Sequence, residues 1–143
     1  MLSDQRRSPS AEKPRPRTQM PRVLVIDDDI RFGTELAHIL ALAGFPVHFH
    51  RSPFGTLSAI QQTSAEIVLL DVNMPRLDGA VLARMIRDVH GPTRVKVLLC
   101  SEMHPNMLSR MAQRCGAFGA IAKDDGPDGV LRALGGLISS PTA

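Results

Sequence analysis

No stretch of this 143-residue chain stays apolar for long. A membrane-spanning helix needs roughly 20 apolar residues in a row, and nothing here approaches that length. Met1-Leu2-Ser3-Asp4 does not open a secretory signal either, so the cytoplasm is the expected compartment. Cysteine is scarce: Cys100 and Cys115 are the only two, too few for a disulfide framework, and Cys100 ends an apolar run and reads as core. Internal repeats are absent, and no Asn-Gly or Asp-Gly pair sits between two strand-like runs as a hairpin would require. Basic character is also missing from most of the chain, despite a formal net charge of +3. Positions 1–22 hold six basic residues (Arg6, Arg7, Lys13, Arg15, Arg17, Arg22) against Asp4 and Glu12, a balance of +4, which leaves the remainder at −1. Direct DNA binding by the folded part is therefore not expected.

The apolar content of 43% and charged content of 22% suit one globular domain with a real core. Residues 1–20 carry Ser, Pro, Arg, Lys and Gln with little to bury, and Pro9, Pro14 and Pro16 forbid a continuous helix. We read 1–20 as a disordered, basic, Pro-rich arm, 21–139 as the domain and 140–143 as a short tail.

Within the domain, short apolar runs alternate with helical patterns. A strand at Arg22–Ile26 runs into Asp27-Asp28-Asp29, and Phe32, Leu36, Ile39 and Leu40 then recur at helical spacing until Gly44. Pro46–His50 alternates as an edge strand would, with His48 and His50 on one wet face and no third ligand to make a metal site. Ser52-Pro53 opens a helix through about Gln62. Ile67–Leu70 is an unbroken apolar run, the habit of a strand buried on both faces, and it ends abruptly in Asp71. A helix from about Asp78 to Val89 places Leu82, Met85, Ile86 and Val89 on one face. A strand at Val95–Cys100 delivers Ser101. A Met-rich helix spans His104–Arg114, a strand at Ala117–Ala122 delivers Lys123, and a last helix covers Pro127–Ile138. Five strand–helix repeats predict an α/β fold, a doubly wound parallel sheet with right-handed crossovers.

Four of the five strands thus end in polar residues: Asp27 and Asp28, Asp71, Ser101 and Lys123. In a doubly wound sheet these ends converge on one crevice. Three carboxylates gathered there repel one another unless a cation joins them, and hard oxygen ligands suit Mg²⁺. A hydroxyl and an ammonium opposite would serve the oxygens of a phosphoryl group. Singly, each residue has a plainer explanation. Asp71 could start a turn, Asp29 reads as a helix N-cap, and Asp78-Gly79 reads as structural.

These residues carry a resemblance. Val-Leu-Val-Ile-Asp-Asp-Asp (23–29), Leu-Leu-Asp-Val-Asn-Met-Pro-Arg-Leu-Asp-Gly (69–79), Val-Leu-Leu-Cys-Ser (97–101) and Gly-Ala-Phe-Gly-Ala-Ile-Ala-Lys (116–123) resemble the receiver domain of two-component response regulators, over about residues 22–138. The resemblance implies a flavodoxin-like sheet in the order 2-1-3-4-5. It implies Asp71 as phospho-acceptor from a sensor histidine kinase or phosphotransfer protein. It further implies Mg²⁺ held by Asp27, Asp28, Asp71 and the backbone carbonyl of Asn73, with Ser101 and Lys123 on the phosphoryl group. Output in such domains commonly uses the fourth helix and fifth strand, here Met103, Met107, Met111 and Ala120. With few residues after the last helix, a stand-alone receiver signalling by protein contacts is the expectation.

The chain departs from the family's pattern at three positions. Glu102 stands where a small residue is usual, Ala120 replaces the aromatic three places before the lysine, and Asp124 replaces the proline after it. The chain has no tyrosine and no tryptophan, so the usual aromatic switch cannot operate in its standard form; Phe118 lies two residues before Ala120 on the same strand pattern. Glu102 and Ala120 favour the alternative, a pseudo-receiver that works as a phosphorylation-independent interaction module, while the intact Asp27, Asp28, Asp71, Ser101 and Lys123 oppose it. A hydrolase of the related aspartyl-phosphate fold would need a second Asp where Asn73 stands.

Overall fold

The branched residues that end at Asp71 form the central strand of a five-stranded parallel sheet in the computed structural model, which describes residues 20–75 and 77–139. In chain order the strands are β1 (Val23–Ile26), β2 (Val47–His50), β3 (Ile67–Asp71), β4 (Lys96–Ser101) and β5 (Gly119–Ala122), arranged β2-β1-β3-β4-β5. Each is followed by a helix: α1 (Ile30–Leu42), α2 (Thr56–Thr63), α3 (Gly79–His90), α4 (Pro105–Cys115) and α5 (Gly126–Ser139). The predicted arm at 1–20 lies outside the described residues but for Met20, and the tail at 140–143 lies wholly outside them.

Both faces of the sheet are apolar because alternate residues of each strand enter different cores. Leu24 and Ile26, Val68 and Leu70, and Val97 and Leu99 pack with α2, α3 and α4. Val23 and Val25, Ile67 and Leu69, and Leu98 and Cys100 pack with α1 and α5. Burial of each such side chain stabilises the fold by about 2 kcal/mol relative to exposure. The unbroken run at 67–70 is thus the signature of a strand covered on both sides. The edge strand β2 is only partly buried, as its alternation predicts.

Local chemistry sets the helix ends. The Phe32 N–H donates to Asp29 Oδ1 at 3.1 Å, so Asp29 caps α1, and Gly44 follows its C-terminus at φ +98°. Asp78 Oδ1 accepts from the Ala80 N–H and caps α3. Gly79 beside it leaves room for Val72, whose Cα would lie 2.7 Å from an added Cβ. The Asp78-Gly79 pair is structural, as read.

Three expectations need correction. The second helix begins at Thr56, one turn after Pro53, because Ser52 Oγ accepts from the Phe54 N–H and Gly55 adopts φ +78°. Met85 and Val89 do not face the core and are 44% and 61% exposed. The inward face of α3 is instead Gly79, Leu82, Ala83 and Ile86, whose two small members allow close approach to the sheet. Phe118 precedes β5 and lies exposed, its ring 5.4 Å from Lys96 Nζ.

Both thiols are buried, and burial pushes Cys100 up to about 12. We expect neither cysteine to react with Ellman's reagent until the chain unfolds; release of a full equivalent of thionitrobenzoate from the native protein would contradict this packing.

Candidate functional site

The parallel register brings the carboxyl ends of β1, β3, β4 and β5 to one edge. Ile26 pairs with Leu70, Asp71 with Cys100, and Ser101 with Ala122. The chain is held just beyond the strand ends as well: the Asp27 N–H donates to the His50 carbonyl at 3.2 Å, and the Lys123 N–H to the Ser101 carbonyl at 2.9 Å. Side chains from residues up to 96 positions apart therefore meet at this edge.

Asp27 and Asp71 are buried and Asp28 is exposed, with one carboxylate oxygen from each within 4.8 Å of the others. Among the described residues this is the only such group of three acidic, histidine or cysteine side chains. Lys123 Nζ donates to Asp27 Oδ2 at 2.6 Å and lies 3.7 Å from Asp71 Oδ2. The Lys123 side chain is only 8% exposed, and its ammonium also meets the Phe32 ring, 4.4 Å from the centroid.

The charge balance here is uneven. Burial, and then the neighbouring Asp27, push Asp71 up to about 6, against the pull of the Asn73 N–H and the Lys123 ammonium. Burial pulls Lys123 down, but the bond to Asp27 and the charges of Asp27 and Asp71 together hold it above the usual lysine value. One ammonium does not fully neutralise the cluster, and a divalent cation would supply the missing charge. All-oxygen donors with one exposed carboxylate fit a hard, partly hydrated ion such as Mg²⁺.

Ser101 is fully buried at the end of β4. Its Oγ accepts from Asn73 Nδ2 and from the Met103 N–H, both at 3.0 Å. With both lone pairs used, its proton is free to donate. The Asn73 backbone N–H in turn donates to Asp71 Oδ1 at 3.0 Å. Asn73 therefore links the carboxylate, held by its backbone N–H, to the hydroxyl, held by its side-chain amide. Sequence reasoning valued Asn73 only for its carbonyl; its place two residues after Asp71, where an Asx turn forms, was the available signal.

Glu102 is exposed and makes no hydrogen bond or ion pair among the described residues. Ala120, opposite Leu99, packs into the core under α4. Met103 and Met111 are partly buried in that same core, and Met107 is 58% exposed. His50 Nε2 bonds the Phe54 carbonyl at 2.6 Å and His48 is exposed, so the histidine pair belongs to the wet strand edge. A cavity of about 320 Å³ adjoins the site, lined by Asp28, Arg51, Ser52, Pro53, Met74 and Pro75; the sequence carried no sign of it.

The family model described as the response regulator receiver domain matches residues 23–134. The chain belongs to the response regulator receiver domain family. It is 29% identical over 106 residues to the regulatory protein AtoC of Escherichia coli, a match that covers 74% of this chain and 23% of the relative. To the gliding motility regulatory protein of Myxococcus xanthus it is 32% identical over 117 residues, 78% of this chain and 15% of the relative. The receiver thus spans under a quarter of the length of these two curated relatives. Among solved structures, the chemotaxis response regulator CheY4 of Vibrio cholerae superposes with a TM-score of 0.73 at 25% identity, covering 83% of this chain and 99% of that one. The flavodoxin-like order expected from the resemblance is the order found. No helix among the described residues is long and apolar enough to cross a membrane.

Proposed function

We propose that this receiver takes a phosphoryl group onto Asp71 from the phosphohistidine of a sensor histidine kinase or phosphotransfer protein. One observation carries the reading. Asp71 ends the central strand with two further carboxylates within 4.8 Å and the Lys123 ammonium 3.7 Å away.

In the transfer an Asp71 carboxylate oxygen attacks phosphorus, the P–N bond breaks and the imidazole leaves, taking up a proton. The new O–P bond is an acyl phosphate. Positioning and charge neutralisation dominate such transfers, and the site offers little else. Lys123 leaves its carboxylate partners to pair with a phosphoryl oxygen, and Ser101 donates its proton to another. Mg²⁺, held by Asp27, Asp28, Asp71 and the Asn73 carbonyl, would neutralise charge on the transferring group. Attack of water on phosphorus later restores the carboxylate and releases inorganic phosphate. Asp71 must be ionised to attack, so in a site whose carboxyl rests at about 6 the reaction slows as pH falls below that value.

Output through the α4–β5 face is the companion proposal. Met107 is exposed there, while Met103, Met111 and Ala120 connect that surface to the core beneath it. Departure of Lys123 from Asp27 would change the charge pairing at the end of β5, with or without an aromatic at position 120.

Incubation with Mg²⁺ and phosphoramidate, followed by peptide mass spectrometry, tests the reading. We expect an 80 Da adduct on Asp71, lost in Asp71→Asn. Transfer to another residue, or no adduct together with no beryllofluoride binding, would refute it. Full function of Asp71→Asn in the cell would instead favour a phosphorylation-independent module.

A further inference from the structure

We propose that Phe32 is a positioning residue, its ring face holding the Lys123 ammonium over the paired carboxylates. The inference rests on the phosphotransfer reading for its consequence, although the contact itself does not.

Three groups surround Lys123 Nζ: Asp27 Oδ2 at 2.6 Å, Asp71 Oδ2 at 3.7 Å and the Phe32 ring centroid at 4.4 Å. Both carboxylates have a second duty in the proposed reaction, Asp27 toward the cation and Asp71 toward phosphorus. Phe32 has none, since a ring face is no ligand for a hard cation in competition with oxygen. It is the one contact Lys123 can keep while its anionic partners change. The negative ring face attracts an ammonium within about 6 Å, and more strongly when water is excluded, as it is around a side chain 8% exposed.

The geometry also fixes where the ring comes from. Asp29 caps α1 through the Phe32 N–H, which sets the first turn and sends this side chain back toward the strand ends. Phe32 is partly buried, packed on the core shared by α1 and α5. A four-carbon lysine stem at the end of β5 otherwise has several rotamers that lead to solvent. The ring closes that exit. In a chain without tyrosine or tryptophan, the aromatic that meets the ammonium is thus supplied by α1, on the face of the sheet opposite Ala120.

The test uses the full chain labelled with ¹⁵N,¹³C-lysine, which has only three lysines, Lys13, Lys96 and Lys123. We expect the Lys123 ε-methylene protons to be shifted upfield by the ring. Phe32→Leu, which keeps an apolar side chain in the core, abolishes that shift; Phe32→Tyr retains it. In parallel, Mg²⁺-dependent adduct formation from phosphoramidate slows roughly fivefold in Phe32→Leu and stays within about twofold of wild type in Phe32→Tyr. A Lys123 signal that is not upfield in the wild type, or that Phe32→Leu leaves in place, overturns the proposal. So does equal slowing in the Leu and Tyr variants, which would make the ring a space-filler only. If the wild type forms no adduct on Asp71 but Phe32→Leu still moves Lys123, the phosphotransfer reading fails and the hold of Phe32 on Lys123 stands.

Discussion

Asp71→Asn raises the melting temperature of the metal-free protein at pH 7.5 by about 5 °C or more, while removing the proposed acceptor. The reason is that burial, first of all, pushes the native carboxyl up to about 6, above the usual carboxylate range. A folded-state value raised in this way favours the protonated form. Its stabilising effect is complete below about 4, is lost as pH rises through 6, and above that the folded state carries the full cost of a buried anion. Two units correspond to about 3 kcal/mol, of which we expect about 2 to survive relaxation of the site. For a domain of this size that is several degrees. The advantage of the Asn variant should therefore vanish near pH 4. Added Mg²⁺ should narrow it at pH 7.5, because the cation stabilises wild type more than a variant with one carboxylate fewer. Calorimetry at pH 4 and 7.5, with and without Mg²⁺, measures this. A variant no more stable than wild type at pH 7.5 without metal would show that Lys123 already neutralises the cluster.

Lys123→Met works in the opposite direction. The side chains of Lys123, Asp27 and Asp71 are 8%, 3% and 5% exposed. Removal of the ammonium leaves two buried carboxylates facing each other, and loss of one partner from a buried ion pair costs about 3 kcal/mol. The contribution of Lys123 is present throughout the neutral range. Its folded value lies above that of an ordinary lysine, so this stability is lost only as pH rises through that higher value. Urea denaturation at pH 7.5 should show the loss in full without metal and a smaller loss with Mg²⁺, since a divalent cation supplies part of the missing charge. Equal stability of the two proteins without metal would contradict the geometry. The pair of variants is diagnostic together, because an ordinary packing defect would destabilise in both cases.

Much of the fold was legible because its signals are local. The run from Ile67 to Leu70 announced a strand covered on both faces, and the structure covers it with two separate cores. Asp29, Gly44 and Asp78 mark helix ends through bonds that span only a few residues. Misreadings arose where a local signal had two outcomes. Pro53 could begin a helix or a turn, and Gly55 with its positive φ decided for the turn. Met85 and Val89 fit a helical stripe, but the stripe that packs keeps Leu82 and Ile86 and adds Gly79 and Ala83 instead. Gly79 and Ala83 on it contribute closeness to the sheet rather than apolar bulk, and hydrophobic periodicity does not register that.

The site divides along the same line. Residue types at strand ends show which carboxylates, hydroxyl and ammonium the crevice can receive, because parallel strands in register deliver their last residues to one edge. β3 alone left Asp71 open to a plainer reading, the start of a turn, and only the other strand ends beside it pointed to a shared site. How the groups pair was not legible. The Lys123–Asp27 bond joins residues 96 positions apart, and the Asn73–Ser101 bond joins residues 28 apart. The Phe32 ring reaches Lys123 only because α1 lies against the face that α5 shares. A chain's periodicity and turn chemistry act within a few residues, so the sequence by itself determined the elements, their order and the chemical inventory of the crevice. Distances of 2.6 to 3.7 Å between distant side chains, and the burial that lifts Asp71 to about 6, exist only once the sheet is assembled; the tertiary structure alone decided them.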